Sequence, residues 1–144
     1  MTRSQLGDEL NALTAFFAGV NEIGIVAAYL FGSRTTGTAH RESDVDVAVL
    51  LDYTTYPTPR ARFERRVTLT TELIDALHLD AVDVVVLNDV PPGFARRILR
   101  EGVRAYCSDT AAERAFVRDT ELKACDLTPF LDRTRRIKLA SLAR

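Results

Sequence analysis

The longest uninterrupted apolar run in this sequence, Gly24 to Phe31, is only of strand length. A helix that crosses a membrane takes ~20 apolar residues, so none is expected. A run this short and continuous reads instead as a strand buried in a packed core. A second run, Asp44-Val-Asp-Val-Ala-Val-Leu-Leu51, alternates acid and apolar residues and then turns wholly apolar. It reads as a second strand whose leading end is exposed on one face. Between the two lies Gly32 to Ser43, rich in Gly, Ser, Thr and Arg, a functional loop or a loop with one helical turn.

The rest of the chain supplies the cover for these strands. Leu6, Leu10, Leu13, Phe17 and Val20 recur at three- and four-residue steps, which predicts an amphipathic helix over 4–21 with Ser4 as N-cap. A second amphipathic helix is expected over 60–78, with Phe63, Val67, Ile74 and Leu77 on its apolar face. Ala81 to Leu87 is short and β-branched, hence a third strand. Pro91-Pro92-Gly93 opens a short helix holding Phe94, Ile98 and Leu99 and closed by Gly102, and Val103 to Cys107 fits an edge strand. From Asp109 the pattern is helical to the end, with a restart at Thr128-Pro129. This order predicts an α/β sandwich with a C-terminal helical extension. Residues 1–108 are expected to form the main domain and 109–144 its helical extension.

Length and composition set the outer limits. The 144 residues fit one domain, and 47% apolar with 27% charged residues is an ordinary globular balance. A net charge of −1 argues against broad nucleic-acid binding. The charge is uneven: residues 1–59 hold 3 basic and 7 acidic groups, a net −4, and residues 60–144 hold 16 and 13, a net +3. Cys107 and Cys125 have neither metal spacing nor a disulfide framework and are expected as small core residues. With an N-terminus that lacks a secretory pattern, this points to the cytoplasm.

The chemistry is concentrated around the first loop. Gly32 lets backbone approach a ligand closely, and the amides at Gly32 and Ser33 suit a phosphate, with Arg34 adding charge. Asp44 and Asp46 point the same way from one strand, ~6.6 Å apart. Two carboxylates on one sheet face are costly without a cation, and hard oxygen donors suit Mg²⁺ with substrate phosphates. Asp83 lies within the third strand and is preferred as the third acid over Asp80, which precedes that strand. Gly32 and Gly37 match the start of a P-loop, but Thr38-Ala39 replaces its Lys-Ser/Thr. His40 and His78 are isolated, and His78 suits a helix C-terminus. The cluster Arg60, Arg62, Arg65 and Arg66 reads as a solvated helix face or a partner-binding face, with one arginine available to a triphosphate.

Gly32-Ser33, ten further residues, Asp44-x-Asp46 and a downstream strand Asp together resemble the nucleotidyltransferase superfamily typified by DNA polymerase beta. The stretch from Phe31 to Val49, with Val82 to Asn88 and Ile98 to Gly102, is most similar to the minimal nucleotidyltransferases, and among them to the MNT-type antitoxins paired with HEPN-domain RNase toxins. The resemblance covers roughly residues 20–108. It implies a nucleotidyltransferase fold, a small mixed β-sheet flanked by helices. It implies ATP as substrate, two Mg²⁺ ions on Asp44, Asp46 and Asp83, and nucleotide contacts from Gly32, Ser33, Arg34 and Ser43. It further implies transfer of AMP to a tyrosine of a cognate HEPN toxin held in a hetero-oligomer. A small-molecule nucleotidyltransferase of the aminoglycoside-modifying kind and an antitoxin acting by binding alone are the alternatives. Residues 129–144, with Phe130, Leu131 and Ile137 among Arg133, Arg135, Arg136 and Lys138, are expected to help dock an acidic surface of the partner.

Overall fold

The computed structural model describes residues 3–32 and 45–125. Helix α1 (Arg3–Val20) leads into strand β1 (Ile25–Phe31), followed by β2 (Val45–Leu51), helix α2 (Pro59–Leu77), β3 (Val82–Val86), a 3₁₀ turn (Leu87–Asp89), α3 (Pro92–Glu101) and β4 (Val103–Cys107). A fourth helix, α4, occupies 110–125. The strands form one mixed sheet in the order β3-β2-β1-β4, with β1 antiparallel to β2 and β4 and β2 parallel to β3. A parallel neighbour needs a long crossover, and α2 supplies it. β4 lies at an edge, as the sequence predicts.

Helices cover both faces. On the first, Leu13 and Phe17 of α1 and Leu69 and Leu73 of α2 pack on Val45, Val47, Val49, Val82 and Val84, each at most 7% exposed. On the second, Ala95 and Ile98 of α3 pack with Tyr29, Ala48, Leu50 and Leu87, and Phe116 of α4 joins them. This face also has a polar centre. Tyr29 donates its hydroxyl to Glu113, which is 7% exposed, and Arg104 Nη1 donates to Glu113 Oε1 at 2.7 Å. A buried carboxylate needs such partners, and here they tie α4 to β1 and β4.

Local chemistry sets the helix ends. Thr58 Oγ1 accepts from Ala61 N at 3.1 Å and Pro59 takes the first turn of α2, while His78, with φ 54°, closes it. Asn21, with φ 48°, ends α1. Gly102 closes α3 as expected but for a different reason. Its φ is −76°, and a Cβ there would sit 2.6 Å from the Ile98 carbonyl oxygen. The position demands space, not a left-handed backbone.

Four expectations are corrected. α1 already includes Arg3, so Ser4 lies within the helix instead of capping it. Val20, the last residue of the helix, is 36% exposed. Cys125 is exposed, so it is not a core residue, whereas Cys107 is half-buried at the edge of the second core. On α2 the expected apolar face holds only in its second half, where Ile74 and Leu77 are half-buried against the first core; Phe63 and Val67 are 58% and 50% exposed, and Arg62, Leu69 and Leu73 are buried. In the first half of the helix the observed face is rotated by one residue, about 100°. Arg62 occupies it because Asp89 accepts from both Nε and Nη2, at 2.9 and 2.8 Å, and the Tyr56 carbonyl accepts from Nη1. The aliphatic stem of arginine packs while its head is paired.

Candidate active site

The second face ends in a pair of acids. In the parallel ladder Asp46 of β2 stands directly beside Asp83 of β3. Register partners in a parallel pair share a face, and neighbouring strands run ~4.8 Å apart. On the other side of β2, Asp46 is paired with Phe31, the last residue of β1. Gly32 follows at φ +89°, a conformation that side chains disfavour. A Cβ on Gly32 would lie 3.0 Å from Asp46 Cγ and 3.2 Å from its Cβ, and closer still to one carboxylate oxygen. Glycine is therefore required twice here, for its dihedral and for the approach of Asp46.

Across the sheet the order is Gly32, Asp46, Asp83 and then Arg66 of α2, whose Nη2 is 4.0 Å from Asp83 Oδ1. Asp83 is 55% exposed. Asp80 sits in an exposed bend before β3 and has no place in the ladder with Asp46. The remaining arginines of the α2 cluster point elsewhere. Arg60 pairs with Glu64, Arg62 with Asp89, and Arg65 with both Glu22 and Glu72. Burial opposes the charge on Arg65, but hydrogen bonds and charges from Glu72 and Glu22 prevail and raise its pKa. The hydrogen bonds that Asp89 accepts likewise raise that of Arg62. Both are structural cations.

Two clefts are lined by the neighbours of the acids, Gly32 on one side and Arg66 on the other. A small one of ≈ 150 Å³ lies on the Gly32 side, between Phe31, Phe94, Arg97 and Glu101. A larger one of ≈ 360 Å³ lies on the Asp83 side, between α2 and the outer edge of β3, with Phe63, Arg66, Val85 and Val90 in its walls. Sequence reasoning did not single out Phe63 for this wall. Its spacing of three from Arg66 on one helix was the available signal.

Asp44, Ser33, Arg34, Ser43 and His40 lie outside the described residues, as do Arg133, Arg135, Arg136 and Lys138 of the C-terminal segment. Among the described residues no group of three or more His, Cys, Asp or Glu side chains gathers as a metal site. The donor chemistry nonetheless fits a hard divalent cation. Asp46 and Asp83 are adjacent, carboxylate, and at least partly open to solvent, and Asp44 would be the third donor.

A helix-covered mixed sheet with this acid pair at one end is a nucleotidyltransferase fold. The family model for polymerase beta nucleotidyltransferases matches residues 13–111, and the chain belongs to that family. Among solved structures, the chain is similar to a toxin–antitoxin crystal structure with AMP-PNP, at 27% identity, TM-score 0.57, and coverage of 94% of this chain and 98% of the other. It also shares the fold of a chain in the tri-AMPylated Shewanella oneidensis HEPN toxin in complex with MNT antitoxin, at 21% identity, TM-score 0.57, and coverage of 96% and 99%. The toxin–antitoxin MntA-HepT gives 22% identity, TM-score 0.54, and coverage of 94% and 99%. No curated protein matches the chain.

Proposed function

We propose that this protein is a Mg²⁺-dependent nucleotidyltransferase that transfers AMP from ATP to a tyrosine hydroxyl of a cognate HEPN RNase toxin, and so acts as its antitoxin. The observation that carries the reading is the register of Asp46 with Asp83 beside a glycine whose backbone no other residue suits. The likeness to a toxin–antitoxin structure with AMP-PNP supports both the nucleotide and the partner.

Asp44, Asp46 and Asp83 would hold two Mg²⁺ ions, which when bound neutralise charge building up on the phosphates. Backbone amides at Gly32 and Ser33 donate to the β- and γ-phosphates, with Arg34 and Ser43 as further nucleotide contacts. A carboxylate oxygen of Asp83 takes the proton from the acceptor hydroxyl. The hydroxyl oxygen then bonds to the α-phosphorus, the bond to the β-phosphate oxygen breaks, and pyrophosphate leaves. Positioning and charge do most of the work in such chemistry.

The test uses labelled ATP, Mg²⁺ and the purified product of the neighbouring gene. Label is expected on that protein, with Asp46→Asn reducing transfer on the order of 10²–10³-fold at an unchanged melting temperature or a slightly higher one, because crowded carboxylates repel. Near-normal transfer by Asp46→Asn would overturn the site. Label only on a small hydroxylated molecule would replace the reading with the aminoglycoside-type one. Tight binding without label would replace it with neutralisation by binding alone.

A further inference from the structure

We infer that the cleft beyond Asp83 is the acceptor site. In this arrangement a tyrosine of the partner protein lays its ring against Phe63, its hydroxyl toward Asp83, and an acidic neighbour of that tyrosine meets Arg66. This rests on the nucleotidyltransferase reading above and names the residues that would choose its acceptor.

The lateral order of the site carries the argument. Gly32 and Asp46 occupy one side, where the phosphates need close backbone, and the cleft on that side holds only ≈ 150 Å³. Asp83 stands on the other side, and beyond it the ≈ 360 Å³ cleft runs along α2 and the outer edge of β3. An attacking hydroxyl must approach opposite the leaving pyrophosphate, in line. If the nucleotide enters from the Gly32 side, the acceptor enters from the Asp83 side.

The walls of that cleft have the chemistry of a recognition site. Phe63 is 58% exposed on a helix that is anchored by Leu69 and Leu73, so packing of the fold does not explain it. Val85, two residues beyond Asp83 on the same strand, and Val90 extend the apolar surface. An exposed aromatic beside valines offers an edge or face to another ring. The charges also select. Asp89 on the cleft wall is neutralised by the fork of Arg62. Arg66 is 43% exposed, and its 4.0 Å contact with Asp83 is at the limit of an ion pair. Exposed pairs of this kind hold weakly. Arg66 can therefore turn to a carboxylate on the acceptor, the more readily once Asp83 is engaged with metal.

The experiment measures transfer from labelled ATP to the purified neighbouring-gene product by the full chain with Mg²⁺, for wild type, Phe63→Ala, Phe63→Leu and Arg66→Gln. MgATP-induced thermal stabilisation is read in parallel. Phe63→Ala is expected to raise the acceptor KM about three- to tenfold, with kcat and the MgATP shift retained and Phe63→Leu partly restoring the KM. The wild-type KM should rise with salt, and Arg66→Gln should flatten that dependence. An unchanged acceptor KM in Phe63→Ala, with wild type active, overturns the cleft assignment alone. No label with wild type overturns the nucleotidyltransferase reading, and the cleft assignment falls with it.

Discussion

On the first face of the sheet, Leu13, Phe17, Leu69 and Leu73 meet a floor of valines. On the second, Tyr29 and Arg104 converge on buried Glu113, and Asp46 and Asp83 share the open end. The first face gains from apolar burial at roughly 1.5–3 kcal/mol per large side chain. The second spends part of that gain on polar groups. A buried carboxylate contributes little net stability even when well paired, and adjacent acids repel until a cation arrives. The strands between are shared, so the dry face can carry the cost of the chemical one. The contrast also bears on the proposed site: along their strands Asp46 and Asp83 lie two residues before Ala48 and Val85 of the second core.

The sharpest way to break the contrast is at the chemical end. Gly32→Val should cost transfer at least on the order of 10²–10³-fold, because its Cβ enters the space of Asp46 and its φ of +89° is unfavourable for valine. Transfer assays on the folded variant check this, and turnover within about tenfold of wild type would show that Gly32 is only a turn. Leu73→Ala should act on the other face, lowering stability by about 2–5 kcal/mol while activity per folded molecule is preserved. Denaturant melts paired with transfer assays separate the two effects. A matching loss of turnover would mean that the faces are coupled.

Smaller effects sharpen the picture. Tyr29→Phe removes the hydroxyl donor of Glu113 but leaves Arg104 in place, so a loss of about 0.5–1.5 kcal/mol is expected in urea melts. A much larger loss would mean that α4 docks chiefly through this hydroxyl. The smallest effect is on the alkaline limb of stability. Burial, with help from a hydrogen bond to Glu22, pushes the Tyr56 pKa up from 10.0 to about 12. Between these values the unfolded chain gives up a proton that the folded chain keeps, so stability falls as pH rises from 10 to about 12. Tyr56→Phe should flatten part of that slope in denaturation curves at pH 9 and pH 11.5. Tyr29, also raised, first by burial and then by Glu113, keeps the remainder.

Much of this was legible in the residues themselves. The apolar run at 24–31, the acid–apolar alternation from Asp44 and the β-branched run at 82–86 are local patterns, and strands form where they lie. The face of β2 that carries Asp46 was legible too, because side-chain alternation is a property of a single strand. Thr58-Pro59 and Gly102 likewise mark helix ends through chemistry within a few residues.

Other features depend on distant partners, and only the tertiary structure decided them. The rotation of the first half of α2 goes with Asp89, 27 residues from Arg62, which pairs the arginine so that it can be buried while Phe63 and Val67 stay outside. Glu113 reads as an ordinary helix-surface acid until Tyr29 and Arg104 close on it. That Asp83, and not Asp80, stands beside Asp46 is a matter of register, which is set by how β3 packs its valines against the first face. Periodicity is carried by the chain itself. Rotation, register and pairing belong to the contacts between elements, and one sequence segment cannot specify them alone.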